Sequence, residues 1–276
     1  MKQDLSKEVV VITGAASGIG RALLKKYLQA GAKVAALDVN EEALQELKTA
    51  HLEDAARIFN QVVDVSDEAE VIAAGQQIFS KFGKPSVWIN NAGIALLGDF
   101  EKVATTDFAR VMSINFDGVV YGTRVALSLM KEPERGSIVN IASVSGTVAA
   151  PFMTSYTAAK HAVVGFTRAL REEREQSHSA IKIILVSPGL VRTKIMEVSE
   201  EFRLPQWLQW IVHDPDSTAE EIVAGIQSGR VEILPTINGK MLLALHRVAP
   251  GITRKSSRLV SAKSWKELLG LSPIRK

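Results

Sequence analysis

The stretch Val9-Val-Val-Ile-Thr-Gly-Ala-Ala-Ser-Gly-Ile-Gly20, running on into Arg21-Ala-Leu-Leu-Lys-Lys-Tyr-Leu28, decides the fold. Its first five residues are a β-branched run with the character of a buried strand. The next seven form a glycine-rich turn, and the segment beyond reads as a helix ending near Gly31. Glycines at a strand-to-helix turn let the backbone approach a pyrophosphate, which the positive end of the helix then attracts. The spacing is Gly-x-x-x-Gly-x-Gly rather than the common Gly-x-Gly-x-x-Gly. A tight βα turn with no ligand would also use glycines, so the residues around the turn have to discriminate.

Asp38 does so. It closes the next apolar run, Val34-Ala-Ala-Leu-Asp38, eighteen residues after Gly20. A carboxylate there accepts hydrogen bonds from both hydroxyls of an adenosine ribose and repels a 2′-phosphate. Neither Ala15-Ala-Ser17 nor Val39-Asn40 offers a lysine or arginine to that phosphate, which favours NAD over NADP. The alternative for Asp38 is a helix N-cap ahead of Glu41.

A second constellation lies in the middle of the chain. Tyr156 and Lys160 stand four apart in Ser155-Tyr-Thr-Ala-Ala-Lys160, and Ser143 lies thirteen positions before the tyrosine, ending an apolar run. On a helix, the phenol and the ammonium share one face. A tyrosine with a pKa of about 10 shuttles protons poorly near neutrality, and a neighbouring cation favours its phenolate. A lowering of roughly three units takes about 4 kcal/mol. Lys160 is therefore expected to pull the tyrosine down, helped by a cationic cofactor ring. By itself Tyr-x-x-x-Lys is a common surface pair; its company gives it meaning.

With these motifs in order, the chain resembles a classical short-chain dehydrogenase/reductase from about Lys7 to Thr193. The family's glycine motif falls on Thr13-Gly-Ala-Ala-Ser-Gly-Ile-Gly20, its adenine-side pair on Asp64-Val65 and its Asn-Asn-Ala-Gly segment on Asn90-Asn-Ala-Gly93. Its catalytic asparagine, serine, tyrosine and lysine fall on Asn115, Ser143, Tyr156 and Lys160, and its Pro-Gly turn on Pro188-Gly-Leu-Val-Arg-Thr193. The resemblance implies an NAD(P)-dependent enzyme that interconverts a secondary alcohol and a ketone. Tyr156 would be the acid–base, Ser143 would orient the substrate oxygen, and Asn115 would support a water relay. It also implies cofactor contacts at Gly14, Ser17, Gly18, Ile19, Gly20, Asp38, Asp64, Val65, Asn91, Ala92, Gly93, Tyr156, Lys160, Pro188, Gly189, Val191 and Thr193. Lys160 would hold the nicotinamide ribose, and Thr193 and the backbone near Val191 the carboxamide. The competing readings are an NADP-preferring carbonyl reductase and a dinucleotide-sensing regulatory protein. Loss of Ser143, Tyr156 or Lys160 would favour the last, and none is lost.

The rest of the chain agrees. Its 276 residues are 46% hydrophobic, enough for one large α/β core, and the absence of cysteine removes disulfides and thiolate metal sites. The five histidines do not cluster with carboxylates, so no metal is expected; His161 reads as a helix-face residue. Thr154 and Ser155 read as helix caps, and Asp64 doubles as a strand-end cap before Ser66. Strands are expected near 8–13, 33–38, 58–63, 86–90, 137–142, 181–187 and 231–234. Helices are expected near 18–30, 41–50, 67–82, 105–131, 155–175 and 218–228. That alternation predicts a doubly wound parallel sheet of Rossmann type with helices on both faces. Residues 1–239 form the expected catalytic domain, and 240–276 a basic C-terminal extension.

No signal-peptide pattern occurs at the start, and the apolar window from Val111 to Met130 is interrupted by Asp117 and Arg124. A cytoplasmic protein is expected, in keeping with a family of homodimers and homotetramers. The segment near 190–215 is expected to cover the substrate. Its Ile195, Met196, Phe202, Leu204, Trp207 and Trp210 suit either a hydrophobic alcohol or ketone or simple docking of the segment onto the domain. From Lys240 onward nine Lys/Arg face one Glu, a net of +8; the chain's +3 therefore leaves −5 for the first 239 residues. The stretches 241–248 and 259–269 read as amphipathic helices with basic faces, for which an anionic membrane surface, a solvated basic tail, or packing against the acidic domain or another subunit are the candidates. Nucleic acid is not expected, because no reader fold accompanies the basic residues.

Overall fold

A computed structural model describes residues 4–193 and 212–253. Seven strands make one sheet: β1 (Val9–Thr13), β2 (Lys33–Asp38), β3 (Ile58–Val62), β4 (Val87–Asn90), β5 (Gly136–Ile141), β6 (Ile181–Val186) and β7 (Glu232–Ile233). The order is β3-β2-β1-β4-β5-β6-β7, with every pairing parallel. The first half winds outward from β1 to β3 and the second from β4 to β7. The crevice between the halves therefore opens where β1 and β4 lie side by side, the customary place for a ligand.

The sheet is buried on both sides, which explains the unbroken apolar strands. Val10 and Ile12 of β1 point into one core and Val9 and Val11 into the other. The first core is closed by α1 (Gly18–Gln29), α2 (Glu41–Ala50) and α7 (Pro215–Gln227). The second is closed mainly by α3 (Glu68–Phe82) and α5 (Gly118–Leu129), and α6 (Thr154–Gln176) seals the neighbouring strands against α5. Trp88 lies fully buried in the second core, its indole N–H donating to Asn90 Oδ1 at 2.9 Å. α4 (Thr105–Met112) and α8 (Ile237–Val248) complete the helices described.

Two expectations change. The helix expected over 105–131 forms with one irregularity: α4 ends at Met112, a π turn spans Ser113–Asp117 with helical backbone at both joins, and α5 starts at Gly118. The cause is local. Asn115 donates from Nδ2 to Val111 O at 2.8 Å and to Ile94 O at 2.9 Å, tying the wide turn to the loop after β4. Nor do Thr154 and Ser155 cap α6: the N-cap position is Met153, without a side-chain hydrogen bond, and Ser155 is buried. The aromatic residues expected to cover the substrate, and the stretch 259–269, lie outside the described residues.

Candidate active site

Glycine is required around the first turn by the protein's own packing. Gly14 has φ +63°, and a Cβ there would sit 2.8 Å from Ala92 Cα. A Cβ on Gly20 would fall 2.0 Å from Gly14 O, and one on Gly18, at φ +51°, 2.9 Å from Thr193 Cγ2. The turn is pinned from three sides. Thr13 Oγ1 accepts from Asn91 N and Ala92 N, both at 3.0 Å, and Asn91 Nδ2 donates to Thr13 O and Gly14 O at 2.9 and 3.1 Å. Asp38 Oδ2 accepts from Ala16 N at 2.9 Å. The turn thereby delivers the start of α1 to the crevice. No side chain caps that helix, so its first-turn N–H groups suit an anion.

Asp38 ends β2 at the same rim, and its Oδ1 accepts from Asn40 N at 3.0 Å. The N-cap of α2 is Asn40, accepting from Ala43 N, so the capping alternative for Asp38 is excluded. Asp64 holds both the backbone and the hydroxyl of Ser66, as a strand-end cap does, and Val65 packs where Gly118 leaves no room for a side chain. Asn90 turns inward instead. It donates to Asn140 Oδ1 at 2.8 Å, and Asn140 in turn donates to Thr167 Oγ1 at 3.0 Å, giving a buried ladder from β4 through β5 to α6. Such a ladder is stable only when fully paired.

Ser143, Tyr156 and Lys160 converge just beyond the carboxyl end of β5. All three are buried, and the Ser143 and Tyr156 hydroxyls share a hydrogen bond. Lys160 Nζ lies 5.7 Å from the centre of the tyrosine ring and donates to Ile141 O at 2.9 Å. The expected lowering of the tyrosine is not found among the protein's own groups. Burial pushes the Tyr156 hydroxyl above the usual tyrosine range, and the Ser143 hydrogen bond is what opposes it. Lys160 does not offset that burial: its Nζ donates to Ile141 O rather than to the phenol, and desolvation lowers its own pKa to about 8.

Asn115 is fully buried, and its Oδ1 has no hydrogen-bond partner among the described residues. A Cβ on Gly93 would lie 2.7 Å from that oxygen and 3.5 Å from Lys160 Nζ. Gly93 thus lets the asparagine approach its backbone, where a side chain would collide with Oδ1. On the opposite wall, Val191 pairs with His213 as an isolated bridge, and Thr193 Oγ1 donates to Val191 O at 3.4 Å beside the first turn of α1. Gly189 N donates to Thr236 Oγ1 at 2.9 Å, and Val144 N to Pro188 O at 2.9 Å, linking this wall to the serine loop. Ala95, Val111 and Tyr156 pack together with Ile94, Leu96 and Met153, so the tyrosine is set in an apolar wall.

Two positioning residues went unread in the sequence: Thr13 and Thr236. The second carried a signal, since a threonine three residues before a glycine at a helix start is a favoured N-cap. Among the described residues no group of His, Cys, Asp or Glu is arranged to hold a metal ion, and no helix is long and apolar enough to cross a membrane.

Fold and site together define a dinucleotide-binding oxidoreductase, and the comparisons agree. Residues 8–203 match the family model described as short chain dehydrogenase, and the chain belongs to that family, whose members act on alcohol and ketone groups with NAD or NADP. It is 37% identical over 232 residues to levodione reductase of Leifsonia aquatica, covering 83% of this chain and 84% of that one. It is 36% identical over 217 residues to the 3-beta-hydroxysteroid dehydrogenase of Comamonas testosteroni, covering 78% and 82%. The crystal structure of a Burkholderia phymatum short chain dehydrogenase/reductase in complex with NAD superposes with a TM-score of 0.76 at 28% identity. That likeness spans 100% of this chain and 99% of the other.

Proposed function

We propose that the protein is an NAD-dependent oxidoreductase that interconverts a hydrophobic secondary alcohol and its ketone, with Tyr156 exchanging the proton. The observation that carries the reading is the convergence of the three buried groups: Tyr156 hydrogen-bonded to Ser143, with Lys160 Nζ 5.7 Å from its ring. In reduction the Tyr156 hydroxyl gives its proton to the substrate oxygen, and in oxidation it takes the alcohol proton. Ser143 Oγ donates to that same oxygen and fixes it beside the phenol. Lys160 keeps its charge at pH 7 by about one unit and favours the phenolate once the site is assembled. Asn115, whose buried Oδ1 is unpartnered among the described residues, would hold a water that passes the proton from Lys160 outward.

The residues present fit a nicotinamide dinucleotide. The uncapped start of α1 suits the pyrophosphate, Asp38 the adenosine ribose, Asp64 and Val65 the adenine side, and Asn91, Ala92 and Gly93 the middle of the crevice. Pro188, Gly189, Val191 and Thr193 line the carboxamide end. When bound, the nicotinamide supplies or accepts the hydride. The carboxylate of Asp38 favours NAD, because its charge repels a 2′-phosphate. For the substrate, the apolar wall of Ile94, Ala95, Leu96, Val111 and Met153 around Tyr156 supports a hydrophobic molecule. The named activities of the two relatives, on levodione and on a 3β-hydroxysteroid, point the same way.

We further take residues 1–239 as the catalytic unit, assembling as a homodimer or homotetramer. The basic stretch 240–276 is read as a peripheral contact with anionic membrane. The test is a panel of ketones and secondary alcohols of graded size, followed by nicotinamide absorbance. Tyr156→Phe should bind NAD as the parent does and lose at least about a hundredfold in kcat. Near-parental turnover would refute the role of the phenol.

A further inference from the structure

The outward side of α8 is apolar where a surface helix is ordinarily polar. Ile237, Met241, Leu245 and Val248 are 63%, 68%, 41% and 87% exposed. At 3.6 residues per turn they fall within an arc of about 80°. The opposite side faces the protein: Gly239 is buried, and Leu242, Leu243 and His246 are half-buried. Lys240 and Arg247 are exposed beside the stripe. Just past the helix, Ile252 adds another exposed apolar side chain.

We propose that this stripe is a docking surface for an anionic lipid membrane, held rigidly beside the rim of the candidate active site. It deepens the reading of a hydrophobic substrate and of a membrane contact through 240–276, and on that reading it rests. The attachment is structural. Asn238 Nδ2 donates to Leu190 O at 3.1 Å, and Thr236 Oγ1 accepts from Gly189 N and Gly239 N. A Cβ on Gly239 would lie 3.1 Å from Val144 Cγ1, next in sequence to Ser143. A membrane under α8 would thus lie close to the loop that carries Ser143, where an apolar substrate could pass from the lipid.

Charge selects the occupant. The stretch 240–276 carries +8 while the rest of the chain carries −5. Anionic lipid attracts such a segment, and an apolar stripe bordered on one side by lysine and arginine inserts at the headgroup boundary. A second copy seated on the same stripe by a two-fold axis would bring its own Lys240 and Arg247 toward those of the first, which repels.

The test uses the full chain and its Met241→Glu/Val248→Glu variant, neither residue belonging to the catalytic or cofactor machinery. Each is sedimented with vesicles of phosphatidylcholine alone or with one-third phosphatidylglycerol. The parent should partition onto the anionic vesicles at least about tenfold better than onto the neutral ones and be released at high salt, and the variant should lose at least about tenfold of that binding. The variant should keep the parent's thermal midpoint and its turnover of a water-soluble ketone, which excludes misfolding. Equal recovery of the parent in the supernatant with both vesicle types would overturn the proposal, as would a variant that pellets like the parent. A variant that instead falls from oligomer to monomer in sedimentation velocity, without any vesicle effect, would assign the stripe to self-association and overturn it too. Turnover in lipid-free buffer reports the oxidoreductase reading separately from all these outcomes.

Discussion

Lys160→Met should make the protein more stable at neutral pH while abolishing its activity. Lys160 is 3% exposed, and burial lowers its ammonium from 10.5 in the unfolded chain to about 8 in the folded one. Between those values the unfolded chain binds more protons than the folded one, so stability rises with pH across the window. At about 1.4 kcal/mol per unit, the penalty is about 3 kcal/mol, fully present below pH 8 and gone above pH 10.5. Methionine fills similar volume without a charge and removes that penalty. It also leaves Ile141 O without its donor, at a cost of about 1 kcal/mol. The net expectation at pH 7 is a variant more stable by about 2 kcal/mol. The order reverses before pH 10.5, once the remaining penalty falls below the cost of the lost hydrogen bond. Urea unfolding of both proteins from pH 7 to 10.5 measures the difference, in which other titrating groups cancel. Parallel stability curves at all pH values would refute the claim that desolvation governs this lysine.

Two further outcomes test other parts of the site. Asp38→Ala should lower the NAD-to-NADP affinity ratio by at least about tenfold, or about 1.4 kcal/mol, read by titrating both nucleotides. NAD binding should also weaken outright, because Ala16 N loses its acceptor. Gly122→Ala places a Cβ 2.1 Å from Asn90 Oδ1 and 2.9 Å from Trp88 Nε1, within the buried ladder. Overpacking and a broken indole hydrogen bond together should cost about 3 kcal/mol in denaturant unfolding, and a loss below 1 kcal/mol would show that the ladder can yield.

Much of this was legible along the chain because the information is local. A strand-turn-helix with glycines at three places, a carboxylate at the next strand end and alternating apolar segments each depend on neighbours within a few residues. They were enough to anticipate seven parallel strands with helices on both faces. Tyr156 and Lys160 were paired by helical periodicity alone.

What the sequence could not decide depends on groups meeting from distant elements. The π turn between α4 and α5 follows from Asn115 bonding to Ile94 O in another loop, a contact no periodicity reveals. The Lys160 ammonium was expected to lower the phenol, yet it bonds to Ile141 O, and the burial that surrounds both groups raises one pKa and lowers the other. Three glycines that read as room for a phosphate are also required because Ala92, Thr193 and Gly14 itself crowd them. The apolar side of α8 becomes an outward side only once Gly239 has seated the helix on the Gly189–Leu190 turn. Motifs record which chemical groups are available. Desolvation and contact depend on where the chain closes on itself, and only the folded chain sets them.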